Sequence, residues 1–203
     1  MPAMAAQART IVTGGEPAAW VRLGFALQED GSACVGGLRL ATGGDELRVE
    51  AFGLAEERPD GLAITATAAP ECERLEHPNG ALAVDHVVAF TDDLDRTVDA
   101  LERAGAPLRR RAEPRPGTPM AFHRLGPLVL EVVGGAERPA LWGLVVVVAD
   151  LDACARDLGP LLGDVRAAVQ PGRRIATVRP EAGVPVALAL MTPQPRPAAA
   201  VGD

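Results

Sequence analysis

The sequence predicts an α+β fold of tandem β-α-β-β-β modules, with a degenerate βαβββ-like segment at the N-terminus. Three observations predict it. Slid along itself by 57 positions, Val84–Gly134 falls on Leu141–Met191 without a gap. Identities recur at that offset: Asp93-Leu94-Asp95 lands on Asp150-Leu151-Asp152, Leu101 on Leu158, Pro114 on Pro171, Gly126 on Gly183 and Val129 on Val186. The kinds of segment also recur in order: apolar strand, Asp-Leu-Asp, helix, a loop rich in Pro, Gly and Arg, then a hairpin. A repeat of this length means one supersecondary unit used more than once.

In the first clear copy, Leu82–Phe90 is apolar and valine-rich, a buried strand. Thr91-Asp92-Asp93 supplies helix N-cap chemistry. Leu94, Val98 and Leu101 then recur at helical spacing through Ala104, and Gly105 closes the helix. Leu108–Ala112 is a short arginine-laden strand and Pro114–Pro119 a loop. Met120–Leu125 and Leu128–Val133 are strands around the turn Gly126-Pro127. The second copy follows suit. Leu141–Val148 is a strand, Asp150 starts a helix through Leu158, and Val165–Val169 is a strand. Pro171–Arg174 is a loop, and Ile175–Arg179 and Val184–Leu190 form a hairpin around Glu181-Ala182-Gly183.

The N-terminal third reads as the same unit, more worn: a strand at Thr10–Thr13, a helix at Glu16–Leu23, and strands at Phe25–Gln28, Ala33–Ala41 and Leu47–Phe52. A further strand is expected at Leu62–Thr67. The expected divisions are residues 8–68 for this segment, 69–81 for a linker, 82–135 and 140–192 for the two clear modules, and 193–203 for a disordered tail.

Composition narrows the chemistry. All 20 basic residues are Arg, so lysine Schiff-base and P-loop chemistry is excluded, and the absence of Tyr removes that residue as acid, base or nucleophile. A net charge of −7 without a basic, aromatic-laced face argues against nucleic acid. No run reaches the roughly 18 apolar residues that span a membrane. Cys34, Cys72 and Cys154 are odd in number and widely spaced, which reads as three reduced cysteines in a cytoplasmic protein.

Two polar residues interrupt apolar strands. Glu131 sits in Leu128–Val133, sharing a face with Val129 and Val133 by strand alternation. A buried carboxylate costs several kcal/mol unless it is paired, hydrogen-bonded or metal-bound. Glu131 is therefore either a metal ligand and catalytic base, or a residue on an open face paired with an arginine such as Arg124. His86 shares a face with Val84 and Val88 and is either a ligand or a satisfied strand histidine. His123 is the nearest third donor, and a one-residue register slip decides whether it faces Glu131. His77 either orders the turn His77-Pro78-Asn79-Gly80 or folds over the cleft mouth to touch substrate. Arg173 and Arg174 carry guanidinium forks suited to a carboxylate or phosphate on a ligand, or to the acidic surface. Arg109-Arg110-Arg111 reads as solvated protection of a sheet edge. Trp142, beside Gly143, is a core or cleft-wall residue and a candidate substrate contact.

The tandem unit with Asp-Leu-Asp after strand one resembles the vicinal oxygen chelate superfamily, the glyoxalase/bleomycin-resistance fold. Trp20-Val21-Arg22-Leu23-Gly24-Phe25, the His77–Gly80 turn, Asp85-His86-Val87-Val88 and Gln170–Thr177 also resemble recurring stretches of glyoxalase-like proteins. The resemblance implies modules paired around a cleft, with metal ligands on the first and last strand of each. It carries onto His86 and Glu131 in the first copy, and by the repeat offset onto Gly143 and Leu188 in the second, where half the ligand set is missing. Two functions follow from it. One is a divalent-metal-dependent lyase, isomerase or oxygenase (Zn, Ni, Fe, Mn or Co) acting on a small oxygenated molecule, with Glu131 as the base. The other is a metal-free protein that binds and sequesters a small molecule, with a homodimer as one way to complete the site.

Overall fold

The computed structural model describes residues 5–44 and 46–195; the outer part of the expected tail, residues 196–203, lies outside them. The elements in chain order are β1 (Gln7–Val12), α1 (Pro17–Arg22), β2 (Ala33–Val35), β3 (Leu38–Ala41), β4 (Arg48–Phe52) and β5 (Ile64–Ala66). The first clear copy holds β6 (Ala81–Thr91), α2 (Leu94–Arg103), β7 (Leu108–Ala112), β8 (Met120–Leu125) and β9 (Leu128–Gly134). The second holds β10 (Ala140–Val148), α3 (Leu151–Leu158), β11 (Arg166–Ala167), β12 (Arg174–Thr177) and β13 (Ala187–Met191). No helix among the described residues is long and apolar enough to cross a membrane.

The two copies build one eight-stranded sheet in the order β11-β12-β13-β10-β6-β9-β8-β7. Within each module the first and last strands are parallel neighbours, β6 with β9 and β10 with β13. The modules join through antiparallel pairing of their first strands, β6 and β10. The Asp-Leu-Asp stretches do what their chemistry suggests. Asp93 caps α2 by accepting from the Arg96 N–H at 3.0 Å, and Asp150 caps α3 by accepting from the N–H groups of Asp152 and Ala153.

The N-terminal segment forms a second sheet, ordered β2-β3-β1-β4-β5. Its β1 and β4 pair antiparallel, as β6 and β10 do, and each has a parallel neighbour, β3 and β5. Two expectations fail in detail. Phe25–Gln28 is not a strand, because Phe25 turns into the core and packs edge-on against Trp20 at 5.3 Å. The run Ala33–Ala41 breaks into β2 and β3 at Gly36-Gly37. Gly36 has φ +62°, and a Cβ there would lie 2.8 Å from Ala83 Cα, so glycine alone lets this hairpin touch β6. The second module also departs from its outline: the hairpin before β13 is a 3-10 turn at Pro180–Ala182, and β11 keeps only two residues.

One continuous core joins the sheets, running from Ile11, Trp20 and Leu40 to Val87, Leu101, Leu130 and Val146. Burying each such leucine is worth about 2 kcal/mol. The His77–Gly80 turn is the seam. His77 accepts from the Ala26 N–H at 3.1 Å through Nδ1, and its Nε2 meets the Cys34 carbonyl at 3.0 Å. Asn79 donates to the Leu23 carbonyl at 2.8 Å. The expectation of three reduced cysteines is overturned here: Cys34 and Cys72 form a disulfide that ties β2 to the segment before the seam, and Cys154 is the free, buried thiol. Disulfides persist in oxidising compartments, so cysteine usage no longer supports a cytoplasmic setting.

Candidate functional site

Strand alternation gives the large sheet two faces. The core face carries Leu128, Leu130 and Val132 of β9, all fully buried, and packs beneath α2. The other face carries Val129, Glu131 and Val133. The pairings place Val88 beside Glu131, so His86, two residues earlier, shares that face. Phe122 of β8 stands opposite Glu131 and Arg110 of β7 opposite Phe122, which brings both onto the same surface.

A β-bulge sharpens the arrangement. His86 pairs with Val145 but Val84 pairs with Val146, leaving Asp85 as the extra residue. The bulge returns Val84 to the core, so Val84 does not share the His86 face as strict alternation predicts. It also aims Asp85 at the ring beside it. Asp85 Oδ2 lies 2.8 Å from His86 Nδ1, and Asp85 Oδ1 lies 2.7 Å from Arg173 Nη1, in an ion pair without hydrogen-bond geometry. On the far side of the ring, His86 Nε2 faces Glu131 Oε2 at 3.9 Å. Arg173, Asp85, His86 and Glu131 thus form one chain of alternating partners along the cleft floor.

The electrostatics follow from burial and neighbours. Burial pushes the Glu131 carboxyl above its usual range; the charges of His86 and Arg110 only partly oppose this, and Asp85 adds to it. Burial acts on Asp85 in the same direction, but the hydrogen bond with His86 and the contact with Arg173 outweigh it and hold Asp85 below the usual range. An ionised Asp85 accepts from Nδ1–H of His86, which assigns the Nε2 lone pair of the neutral ring to the Glu131 side.

The other expected residues separate into two groups. Arg173 reaches the site from the loop before β12 and is buried, its Nε donating to the Thr192 carbonyl at 2.8 Å. Trp142 lies on the site face, stacked edge-on against Phe90 at 5.6 Å. His123 does not join them. It stands opposite Leu130 on the core face, where Nδ1 donates to the Ala106 carbonyl at 2.9 Å and burial lowers the pKa of the ring. His77 belongs to the seam between the sheets. Arg174 pairs with Asp152 through both nitrogens at 2.9 and 2.7 Å on the outer surface, away from the cleft.

The second module departs from the 57-residue offset by one position. His86 pairs with Val145 and Gly143 with Val88, so the offset relates His86 to Gly143 as expected. Glu131 stands beside Val88, however, while the residue beside Val145 is Ala189. The counterpart of Glu131 is therefore Ala189; Leu188 points into the core. Neither Gly143 nor Ala189 offers a donor. A Cβ on Gly143 would lie 2.4 Å from the Ala187 carbonyl oxygen, so no side chain fits there.

These residues do not fit a divalent cation. His86 and Glu131 are two donors, both oxygens of Asp85 are engaged, and no group of three His, Cys, Asp or Glu side chains among the described residues could hold a metal ion.

Sequence reading missed Asp85 as a partner of His86 and missed Phe122, took Arg109 and Arg110 for a solvated edge, and offered Arg124 only as a partner of Glu131; Phe122 and these three arginines line a cleft of about 390 Å³ above the His86–Glu131 pair. An aspartate directly before a histidine in an apolar strand was the available signal for Asp85. For Arg109 and Arg110 the signal was a charge run, which reads as a solvated edge.

No family model and no curated protein matches the chain. Among solved structures, methylmalonyl-CoA epimerase from Mycobacterium tuberculosis is similar over 58% of this chain and 92% of its own, with 20% identity and a TM-score of 0.48. Methylmalonyl-CoA epimerase from Streptomyces coelicolor, in complex with 2-nitronate-propionyl-CoA, is similar over 55% and 97%, with 20% identity and a TM-score of 0.45. A hypothetical protein from Bacillus halodurans is similar over 56% and 96%, with 12% identity and a TM-score of 0.47. The strand order and pairing within this chain, two βαβββ modules joined through their first strands, give it the fold of the vicinal oxygen chelate superfamily.

Proposed function

We propose that the cleft binds a small oxygenated molecule without a metal, and that His86 and Glu131 exchange a proton with it. The observation that carries this reading is the 3.9 Å gap between His86 Nε2 and Glu131 Oε2. It is too wide for a direct hydrogen bond and wide enough for a ligand oxygen to touch both. Asp85 holds the ring by Nδ1, which leaves the Nε2 lone pair facing the ligand and makes Nε2 the base. Glu131, with its pKa raised by burial, keeps a proton to higher pH than an ordinary carboxylate and serves as the acid. Such a pair suits isomerase- or lyase-type proton transfer. The oxygenase reading, which rests on a metal, loses its support with the missing donors.

The test has two parts. Metal content is measured on protein purified without a histidine tag, beside His86→Ala and Glu131→Ala. We expect no stoichiometric metal; near-stoichiometric metal lost in both variants would overturn the metal-free reading. Hydroxy ketones, diols and hydroxy acids are then incubated with the protein in D₂O and followed by proton NMR. Deuterium entering one compound, at least about tenfold slower with Glu131→Gln, is expected if that residue is the acid. Binding without exchange in every case would leave sequestration as the function.

A further inference from the structure

The site face carries three arginines over one module and is mainly apolar over the other, where exposed Arg166 is the charged residue at its edge. Over the first module Arg110 lies 3.8 Å above the Phe122 ring, with Arg109 and Arg124 beside it. Among the described residues none of these three arginines has a carboxylate within 4.0 Å, whereas Arg39, Arg96, Arg111 and Arg174 are all paired. In a chain of net charge −7, guanidinium groups without carboxylate partners gathered in one cleft make a local positive field that attracts an anion. The carboxylates of the cleft do not pair with them: Asp85 is engaged by Arg173 and His86, and Glu131 feels the charge of Arg110 without forming an ion pair within 4.0 Å. Buried Arg173 adds a terminal nitrogen, Nη2, without a hydrogen-bond partner.

Over the second module the counterparts of His86 and Glu131 are Gly143 and Ala189. Around them Val145, Ala189, Met191, Ala168 and Ile175 form an apolar cluster separate from the main core, with Trp142 at its end. His86 borders the arginine cleft, the apolar hollow of about 210 Å³ and the trough between them, so the two halves form one continuous surface.

We infer that the ligand is a small amphipathic oxyanion, its carboxylate or phosphate held by Arg110, Arg124 and Arg109 and its apolar part lying across His86 onto Val145, Ile175 and Met191. The inference rests on the small-molecule reading of the cleft and adds the ligand class. Bidentate guanidinium contacts suit either oxyanion. The loss of donors from the second module becomes the gain of an apolar trough.

The test titrates the protein with hexanoate, monohexyl phosphate, hexan-1-ol and acetate, reading Trp142 fluorescence and melting temperature. Trp142→Phe assigns the fluorescence, since Trp20 is fully buried. Hexanoate or hexyl phosphate should bind at least about tenfold tighter than hexanol, because charge-assisted hydrogen bonds are worth that much. The comparison of the two acids identifies the oxyanion. The same acid should also bind about tenfold tighter than acetate, from the apolar contact. The double variant R110A/R124A, at two exposed positions, should abolish the preference over hexanol and leave the fold intact. Equal binding of hexanol and the acids would overturn the anionic half, and equal binding of acetate and hexanoate the apolar half. Binding of hexane-1,2-diol, lost in Glu131→Gln, with no response to any acid, would overturn this inference and leave the small-molecule reading standing.

Discussion

Asp85 of β6 and Trp142 of β10 are bulged residues 57 positions apart, and they occupy equivalent places on either side of the pairing between those strands. In one module the bulge presents a carboxylate that anchors His86 and Arg173. In the other it presents an aromatic ring, 54% exposed, beside a glycine. The same backbone irregularity thus serves a polar site in one copy and an apolar wall in the other.

Asp85→Ala should leave the Arg173 guanidinium buried without its ion-pair partner. Removing one member of a buried pair costs about 3 kcal/mol or more, whereas Trp142→Ala, losing one edge-on contact with Phe90, should cost about 1 kcal/mol. Urea unfolding of the two variants checks this. Equal costs would mean that Arg173 finds another partner.

The position of the Glu131 counterpart is testable through stability. Leu188→Glu places a carboxylate in the core and should cost at least about 3 kcal/mol. Ala189→Glu places it on the cleft face opposite Thr177 and should be the milder change. Comparable losses in urea unfolding would contradict the one-residue departure from the repeat.

Gly143→His should not restore the missing ligand. Its Cβ would strike the Ala187 carbonyl, and overpacking of this kind costs about 1–3 kcal/mol. The variant should melt lower than the parent and take up no Ni or Zn by titration calorimetry. Stoichiometric uptake would show that the strand yields.

Glu131 should make stability fall as pH rises. Its folded pKa is raised above the unfolded value near 4.5, so the native state binds the proton more tightly. The stabilisation is fully present below the unfolded pKa and is lost as pH rises through the folded one. Stability measured from pH 4 to 8 should lose this slope in Glu131→Gln, which should gain on the parent toward the upper end. A parent and variant with parallel profiles would show that Glu131 is solvated.

Reducing the Cys34–Cys72 disulfide should lower stability by about 4 kcal/mol on a chain-entropy estimate for a loop of this length, 38 residues. Thiol counting in denaturant should find one free thiol without reductant and three with it. Three thiols in both conditions would refute the bond.

Much of the fold was legible because local chemistry and periodicity agree. The Asp-Leu-Asp caps, the valine-rich strands and the Gly126-Pro127 turn each specify their own element, and the repeat says that the elements recur. The N-terminal sheet was less legible, since its strands are short and Gly36-Gly37 splits one apolar run. Its pairing depends on contact with β6, which no local pattern encodes.

For the site, sequence alone determined that His86 and Glu131 interrupt apolar strands and that the second copy lacks both. Only the tertiary structure decided who meets them. One extra residue at Asp85 turns a neighbour into a partner, and register sends His123 to the core face with Leu130. Arg173 arrives from the other module, and Arg110 from a strand at the sheet edge. Side-chain direction in a sheet alternates with every residue, so a single bulge or slip reverses it, and that depends on pairing between distant strands rather than on either strand alone.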